Sequence, residues 1–151
     1  MMKSEVIYVA GPYRSKNSWD NSVNINGIHE NINKAREVAT WLWQAGYPVI
    51  CPHMNTAFMD GIGDDKMFLE GDLILLDRCD GCVVLPDFRD STGTVGEIKF
   101  CEENDIPCLY LDKIDHNSLV KELPMFEHNM RKVGPRPLLL TIPTDESDDG
   151  G

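Results

Sequence analysis

The stretch from Asp80 to Asn104 constrains the fold of this chain more than any other part. Its short apolar run, Val83–Leu85, predicts a buried strand, and after a polar loop Gly93–Glu97 opens a helix, with Glu97 in the first turn. A strand that turns through small residues into a helix N-terminus can bind an anion, because unpaired N–H groups and the helix dipole point outward. The hydroxyls of Ser91 and Thr94 can also bond phosphate or sugar oxygens.

The rest of the chain alternates strands with helices. Strands are predicted at 5–10, 48–51, 81–85, 106–111 and 138–142, and helices at 28–45, 66–79, 93–104 and 118–132. We expect Pro124 to break the last helix. Crossovers of this length imply parallel strands with helices on both faces. The predicted fold class is therefore α/β, a flavodoxin- or Rossmann-like three-layer sandwich with a mostly parallel five-stranded sheet.

Three loops are predicted to leave the same edge of this sheet. They span 11–27, 52–63 and 86–93, and each follows a strand. Parallel α/β sheets bind ligands at the carboxyl ends of their strands, near the point where the strand order reverses. We therefore expect the chemistry of the protein to be built from these three loops and the helices behind them.

The length and charge of the chain exclude several classes of function. Its 151 residues predict one catalytic domain at 1–142 and a disordered acidic tail at 143–151. The net charge of −11 argues against binding to nucleic acid polymers and to anionic membrane surfaces. No apolar run approaches the roughly 20 residues of a membrane span, and no signal peptide is recognisable at the start. A cytoplasmic location is expected.

Five cysteines in a chain without a recognisable signal peptide predict reduced thiols. Cys79 and Cys82 form a C-x-x-C pair at the end of a predicted helix. A redox pair needs its first cysteine at a helix N-terminus, and no second pair completes a zinc site. The pair is therefore interpreted as small buried hydrophobes, with redox or metal chemistry as the alternative.

Glu97 and Asp72 are the carboxylates with a candidate catalytic role. Thr94-x-x-Glu97 also matches a capping box, in which Glu97 would only bond a backbone N–H. Asp72 interrupts an apolar helix and is either solvated or turned toward the site. Two carboxylates about 5 Å apart would suit a retaining glycosidic mechanism. The residues alone leave both interpretations open.

Arg14, Ser15 and His53 are the candidate binding residues in the first two loops. The guanidinium of Arg14 suits a phosphate because its fork is bidentate, although a single loop arginine is commonly just solvated. His53 either contacts a base, transfers a proton or is an ordinary loop histidine.

Four motifs, in this order, resemble the nucleoside 2-deoxyribosyltransferase-like superfamily. They are I-Y-V-A-G-P-Y-R-S at 7–15, G…P-H at 46–53, G-D…C-D-G at 71–81 and S-x-G-T-x-x-E at 91–97. The resemblance covers about 6–111 and is greatest to small phage and bacterial members, and to the 2′-deoxynucleoside 5′-monophosphate N-glycosidases.

The resemblance implies a role for each matching residue. Glu97 would be the nucleophile at the anomeric carbon, Asp72 would protonate or orient the leaving base, and Tyr8 would hold Glu97 near the sugar. A polar residue near the C-terminus, for which Asn129 is the candidate, would come from a neighbouring subunit, so a homo-oligomer, dimer or higher, is expected. With the residues above, the candidate substrate-binding set is Gly11, Arg14, Ser15, His53, Asp87, Ser91, Gly93, Thr94 and Asn129.

The implied reaction is hydrolysis of the N-glycosidic bond of a (deoxy)nucleoside 5′-monophosphate through a covalent glycosyl-enzyme. A carboxylate below C1′ stabilises the oxocarbenium-like state, and a carboxylic acid with a raised pKa protonates the leaving base. The expected partner is a small nucleotide or nucleoside, and neither a metal nor an organic cofactor is required. Transfer of deoxyribose between bases and a non-catalytic nucleotide sensor are the alternatives.

Overall fold

A parallel sheet of four strands forms the centre of the fold. The computed structural model describes residues 1–57, 59 and 62–135. The strands are β1 (Ile7–Ala10), β2 (Val49–Ile50), β3 (Gly81–Val84) and β4 (Cys108–Tyr110), in the spatial order β2-β1-β3-β4. The predicted α/β, Rossmann-like class is confirmed, but the described residues form four strands and not five. The predicted strand at 138–142 and the predicted acidic tail at 143–151 lie outside the described residues.

Helices cover both faces of this sheet, as predicted. They are α1 (Ile25–Gln44), α2 (Pro52–Asn55), α3 (Asp65–Asp77), α4 (Thr92–Glu103) and α5 (His116–Val133). Side chains alternate between the two faces of a strand, so Ile7 and Val9 pack under α1 and α5. Tyr8 and Ala10 pack under α3 and α4. Among the described residues, no helix is long and apolar enough to cross a bilayer.

The prediction that Pro124 breaks the last helix is wrong. Helix α5 runs without interruption through the exposed Pro124, although a proline in a helix interior costs about 3 kcal/mol. The opposite face of α5 is apolar and buried, and each fully buried side chain of this kind contributes about 1.5–3 kcal/mol. Packing therefore outweighs the local cost. The buried residues of this face are Leu119, Leu123, Phe126 and Met130.

The long loop between β1 and α1 folds back on itself. Lys16 and Val23 form an antiparallel bridge, and the Asn17 N–H donates to the Ser22 carbonyl oxygen at 2.9 Å. The side-chain oxygen of Asn24 accepts a hydrogen bond from the Gly27 N–H at 3.0 Å, so α1 begins earlier than predicted. This turn brings the two halves of the first predicted loop together.

Candidate active site

The cleft that holds the candidate residues opens at the carboxyl ends of β1 and β3. The chain passes from β1 to β2 on one side and then to β3 on the other, so the strand order reverses between β1 and β3. Sheets of this type bind ligands at such a reversal. A cleft of about 1180 Å³ lies there, and residues from all three predicted loops line it.

The N-terminus of α4 is capped by Ser91, and this decides the position of Glu97. The Ser91 hydroxyl oxygen accepts a hydrogen bond from the Thr94 N–H at 3.3 Å and lies 2.8 Å from the Thr94 hydroxyl. Thr94 is therefore the third helical residue and not the cap, so the capping-box interpretation is wrong. Glu97 lies in the second turn of α4, not in the first as expected, and it lines the cleft.

Glu97 and Asp72 line the same cleft, one from α4 and the other from α3. Burial raises the pKa of Glu97 to about 8, with a lowering contribution from the Tyr8 hydroxyl and a further raising contribution from the Asp72 charge. Burial also raises the pKa of Asp72 to about 6. Two carboxyl groups with shifted pKa values in one cleft are typical of acid–base or nucleophilic chemistry.

Tyr8 lies beside the cleft, in the core between the sheet and α4. Its hydroxyl is buried and makes no hydrogen bond of ordinary distance and angle with another described residue. Burial, followed by the charges of Glu97 and Asp72, raises the pKa of Tyr8 well above its ordinary value. The hydroxyl therefore stays protonated and is available as a donor to Glu97, whose pKa it lowers.

His53 is buried in the cleft wall and holds the loop after β1. Its Nε2 lies 2.9 Å from the Pro12 carbonyl oxygen, which can only accept, so Nε2 carries the proton. Burial lowers the pKa of His53, which favours the neutral ring. The buried Nδ1 has no hydrogen-bond partner among the described residues.

The other predicted binding residues divide into those that line the cleft and one that does not. Gly11 lines it, and its backbone packs closely on the residue after β3: a Cβ at Gly11 would lie 2.6 Å from Cδ1 of Leu85. Asn129 is exposed on α5, which covers the opposite face of the sheet, and it does not line the cleft of its own chain. Its contribution to a neighbouring subunit stays a prediction. The predicted binding residues that line the cleft are Gly11, Arg14, Ser15, His53, Asp87, Ser91, Gly93 and Thr94.

The cleft is polarised in charge, a feature that the sequence motifs did not predict. The segment from β1 to α1 contributes Arg14, Lys16 and Lys34 to the lining and no carboxylate. Arg14 forms an ion pair with Asp65. The carboxyl groups of the lining, which include Asp72 and Glu97, come from other segments, which also contribute Lys113. Lys34 lies on α1, far along the chain from the predicted binding residues Arg14 and Ser15, so only the folded chain reveals this basic wall.

Comparison with known proteins places the chain in a family. Residues 5–111 match the family model described as a domain of unknown function, DUF7768. The chain belongs to the DUF7768 family. No curated protein matches its sequence. Among solved structures, the DUF7768 chain is similar to a 2-deoxyribosyltransferase from the psychrotolerant bacterium Bacillus psychrosaccharolyticus, with 19% identity, 70% coverage of each chain and a TM-score of 0.52. The chain therefore has a nucleoside deoxyribosyltransferase-like fold.

The DUF7768 region coincides with the part of the chain that builds the cleft. It begins before β1 and ends after β4, so it contains the whole described sheet. Tyr8, Asp72 and Glu97 all lie within it, whereas α5 and Asn129 lie beyond its end. The DUF7768 region thus carries most of the cleft lining, which also includes Asp112, Lys113 and Ile114 just beyond its end.

Proposed function

We propose that the chain hydrolyses the N-glycosidic bond of a (deoxy)nucleoside 5′-monophosphate and releases the free base and the sugar phosphate. The observation that carries this proposal is the pair of carboxyl groups, Glu97 and Asp72, in one cleft at the reversal of strand order. Both pKa values are raised by burial. The fold is like that of a 2-deoxyribosyltransferase, whose name describes transfer of a deoxyribosyl group.

In the proposed reaction, a Glu97 carboxylate oxygen attacks C1′ of the sugar. The bond between C1′ and the base nitrogen breaks, its electron pair leaves with the base, and Asp72 donates the proton that the base needs. Water then attacks C1′, the ester to Glu97 breaks, and Asp72 takes the proton from that water. The Tyr8 hydroxyl stabilises the ionised form of Glu97, since it lowers the pKa of that carboxyl.

The polarised cleft supports a substrate that carries a phosphate. Arg14, Lys16 and Lys34 form a wall suited to an anion, while the carboxyl groups stand on other segments. The start of α4, capped by Ser91, offers backbone N–H groups to the same cleft. A nucleotide could bind with its phosphate on the basic wall and its C1′ beside Glu97.

A second candidate is transfer of deoxyribose from one base to another. The observation that favours it is the fold likeness to a 2-deoxyribosyltransferase, for which nucleoside synthesis is described. The two reactions share the glycosyl-enzyme on Glu97 and differ in the second acceptor, which is water in one and a free base in the other. The same carboxyl pair serves both.

The experiment that tests the proposal incubates the protein with each deoxynucleoside 5′-monophosphate and each matching deoxynucleoside. Each reaction is run with and without a second free base, and chromatography follows base release and base exchange. We expect base release from a monophosphate, and a loss of about 10³-fold or more in Glu97→Gln. The matched control is Glu102→Gln, because Glu102 is exposed on the same helix.

Three results would contradict the hydrolase proposal. Base exchange on nucleosides without cleavage of monophosphates would favour the transferase. Thermal stabilisation by nucleotides without any turnover would favour the sensor. Full activity in Glu97→Gln would remove the carboxylate mechanism from both enzymatic candidates.

A further inference from the structure

A cluster of three thiols lies outside the cleft, between β3, β4 and α4. The Sγ atoms of Cys82, Cys101 and Cys108 all lie within 4.8 Å of one another. Cys82 and Cys108 are register partners on the adjacent parallel strands β3 and β4. Cys101 comes from α4 and packs in the same core cluster. None of the three belongs to the cleft lining, so the proposed glycosidic chemistry leaves them unexplained.

The arrangement of these sulfur atoms is close to that of a metal site with three thiolates. Ligands at the usual Zn–S distance of about 2.3 Å lie roughly 4 Å from one another. The sulfur atoms would therefore need to move by less than about 1 Å to coordinate one ion. Cys82 and Cys101 are fully buried, whereas Cys108 is only partly buried, so solvent reaches the cluster from the side of Cys108.

The three thiols already interact with one another. Their sulfur atoms lie close enough for each thiol to influence the other two. Thiolates and not thiols are metal ligands, and soft sulfur ligands prefer ions such as Zn²⁺ and Cd²⁺ to Mg²⁺ and Ca²⁺. The cluster therefore has the chemistry of a soft-metal site as well as its geometry.

We propose that Cys82, Cys101 and Cys108 form a binding site for one soft divalent metal ion, Zn²⁺ or Cd²⁺. Binding exchanges the thiol protons for three metal–sulfur bonds and releases those protons to solvent. The ion would link β3, β4 and α4, and Cys101 stands four residues after Glu97 on α4. Its role would be to stabilise these three elements behind the cleft, and the ion takes no part in the glycosidic reaction.

This cluster replaces the pair that the C-x-x-C motif would suggest. Cys79 does not join Cys82: its thiol donates to the Leu75 carbonyl oxygen at 3.3 Å, one turn back along the chain. Cys82 instead meets Cys101 and Cys108, whose spacing in the sequence matches no metal motif. The register between β3 and β4 brings them together.

The test titrates the reduced full-length protein with Cd²⁺ under anaerobic conditions and follows the cadmium–thiolate charge-transfer absorption. We expect saturation at one equivalent and a higher unfolding temperature, since an ion that binds only the folded state stabilises it. Cys108→Ala should weaken binding by about 100-fold or more. Cys51→Ala is the matched control, because Cys51 is buried on the other side of the sheet and should leave binding unchanged.

Either of two titration results would overturn the proposal. One is a wild-type protein without charge-transfer absorption at one equivalent of Cd²⁺, and the other is an equal loss of binding in Cys51→Ala and Cys108→Ala. Cadmium NMR of the wild-type protein decides the matter even where Cys108→Ala does not fold, because the chemical shift reports how many sulfur ligands the ion has. Three sulfur ligands are expected, and fewer would contradict the site. The same titration with Zn²⁺, followed by proton release, should give the same stoichiometry.

Discussion

The charge of Asp72 adds to burial in raising the pKa of Glu97 to about 8, while burial raises the pKa of Asp72 itself to about 6. At pH 7 a proton shared by the pair therefore lies mainly on Glu97. The proposed mechanism needs the opposite state, with Glu97 ionised and Asp72 protonated. With these two pKa values, that state is a minor one in the free protein at pH 7. Build-up of positive charge at C1′ favours ionised Glu97 as the reaction proceeds.

The first prediction is a bell-shaped dependence of kcat/KM on pH, with limbs near pH 6 and pH 8. Below the lower limb both carboxyl groups are protonated and the nucleophile is lost. Above the upper limb both are ionised and the acid is lost. Initial rates across this range check it, and mass spectrometry of quenched reactions identifies the carboxyl group that carries the sugar. A glycosyl ester on Asp72, or activity that stays constant above pH 9, would contradict the assigned roles.

The second prediction concerns the buried Tyr8 hydroxyl. Because this hydroxyl lowers the pKa of Glu97, Tyr8→Phe should move the alkaline limb of the profile above its wild-type position. We expect kcat to fall by about 10- to 100-fold, since one donor to the reacting carboxylate is lost. Stability should change little, because the hydroxyl has no ordinary hydrogen bond to lose. Tyr110→Phe is the control, because Tyr110 lies outside the cleft lining. An alkaline limb that does not shift in Tyr8→Phe would refute the role of Tyr8 in positioning Glu97.

The third prediction follows from the linkage between the Glu97 pKa and stability. The pKa of Glu97 is about 8 in the folded protein and has the ordinary value of 4.5 in an unfolded chain. The folded state thus binds this proton more tightly, so the contribution of Glu97 to stability falls as pH rises from 4.5 to 8. The free energy of unfolding of Glu97→Gln should exceed that of the wild type by about 1–4 kcal/mol at pH 9 and match it near pH 4.

Urea unfolding at a series of pH values measures this difference. The exposed Glu102→Gln on the same helix provides the control and should follow the wild-type curve. Parallel curves for Glu97→Gln and wild type would show that Glu97 titrates normally in the fold.

Part of the candidate site could be predicted from the sequence, because the alternation of strands and helices in an α/β chain determines at which edge of the sheet each loop lies. Apolar runs followed by helical spacing place Tyr8 on the first strand, and they place the loops after β1 and β3 at one edge of the sheet. Asp72 and Glu97 reach the same cleft for this reason. The resemblance supplied their proposed roles.

Other features depend on contacts that local sequence does not determine. Ser91 and Thr94 both match the pattern of a helix cap, and only the folded turn shows that Ser91 takes this position. Helix α5 continues through Pro124 because burial of its apolar face outweighs a local cost. The thiols of Cys82 and Cys108 meet through strand register, which no local spacing reveals.

The fourth prediction uses the exposed Pro124 in α5. This residue has no N–H to donate to the preceding turn, and it lies opposite the buried face of the helix. Pro124→Ala should stabilise the protein by about 1–3 kcal/mol, a value reduced by the greater freedom of the unfolded chain. Denaturant unfolding measures it, with Met125→Ala as an exposed neighbour that should change stability by less than about 0.5 kcal/mol. Destabilisation by Pro124→Ala would mean that the proline ring itself contributes to packing.

The fifth prediction separates phosphate recognition from glycosidic chemistry. Lys34 lines the basic wall of the cleft and forms no ion pair with another described residue, so its charge is available to a ligand. Lys34→Ala should lower kcat/KM for a deoxynucleoside 5′-monophosphate by about 10-fold, the worth of one charge-assisted hydrogen bond. The value for the matching deoxynucleoside should stay unchanged, because that substrate has no phosphate to lose.

The matched control for Lys34 is Arg36→Ala, which removes one exposed positive charge from the same helix outside the cleft lining. If both variants lower the rate equally, and the effect disappears at high salt, the phosphate is attracted by the field of the whole surface and not by the wall. If Lys34→Ala impairs both substrates alike, Lys34 acts on the sugar or the base. A lower kcat/KM of Lys34→Ala for the monophosphate alone would show that the basic wall recognises the 5′-phosphate, because the carboxyl pair is intact in every variant compared.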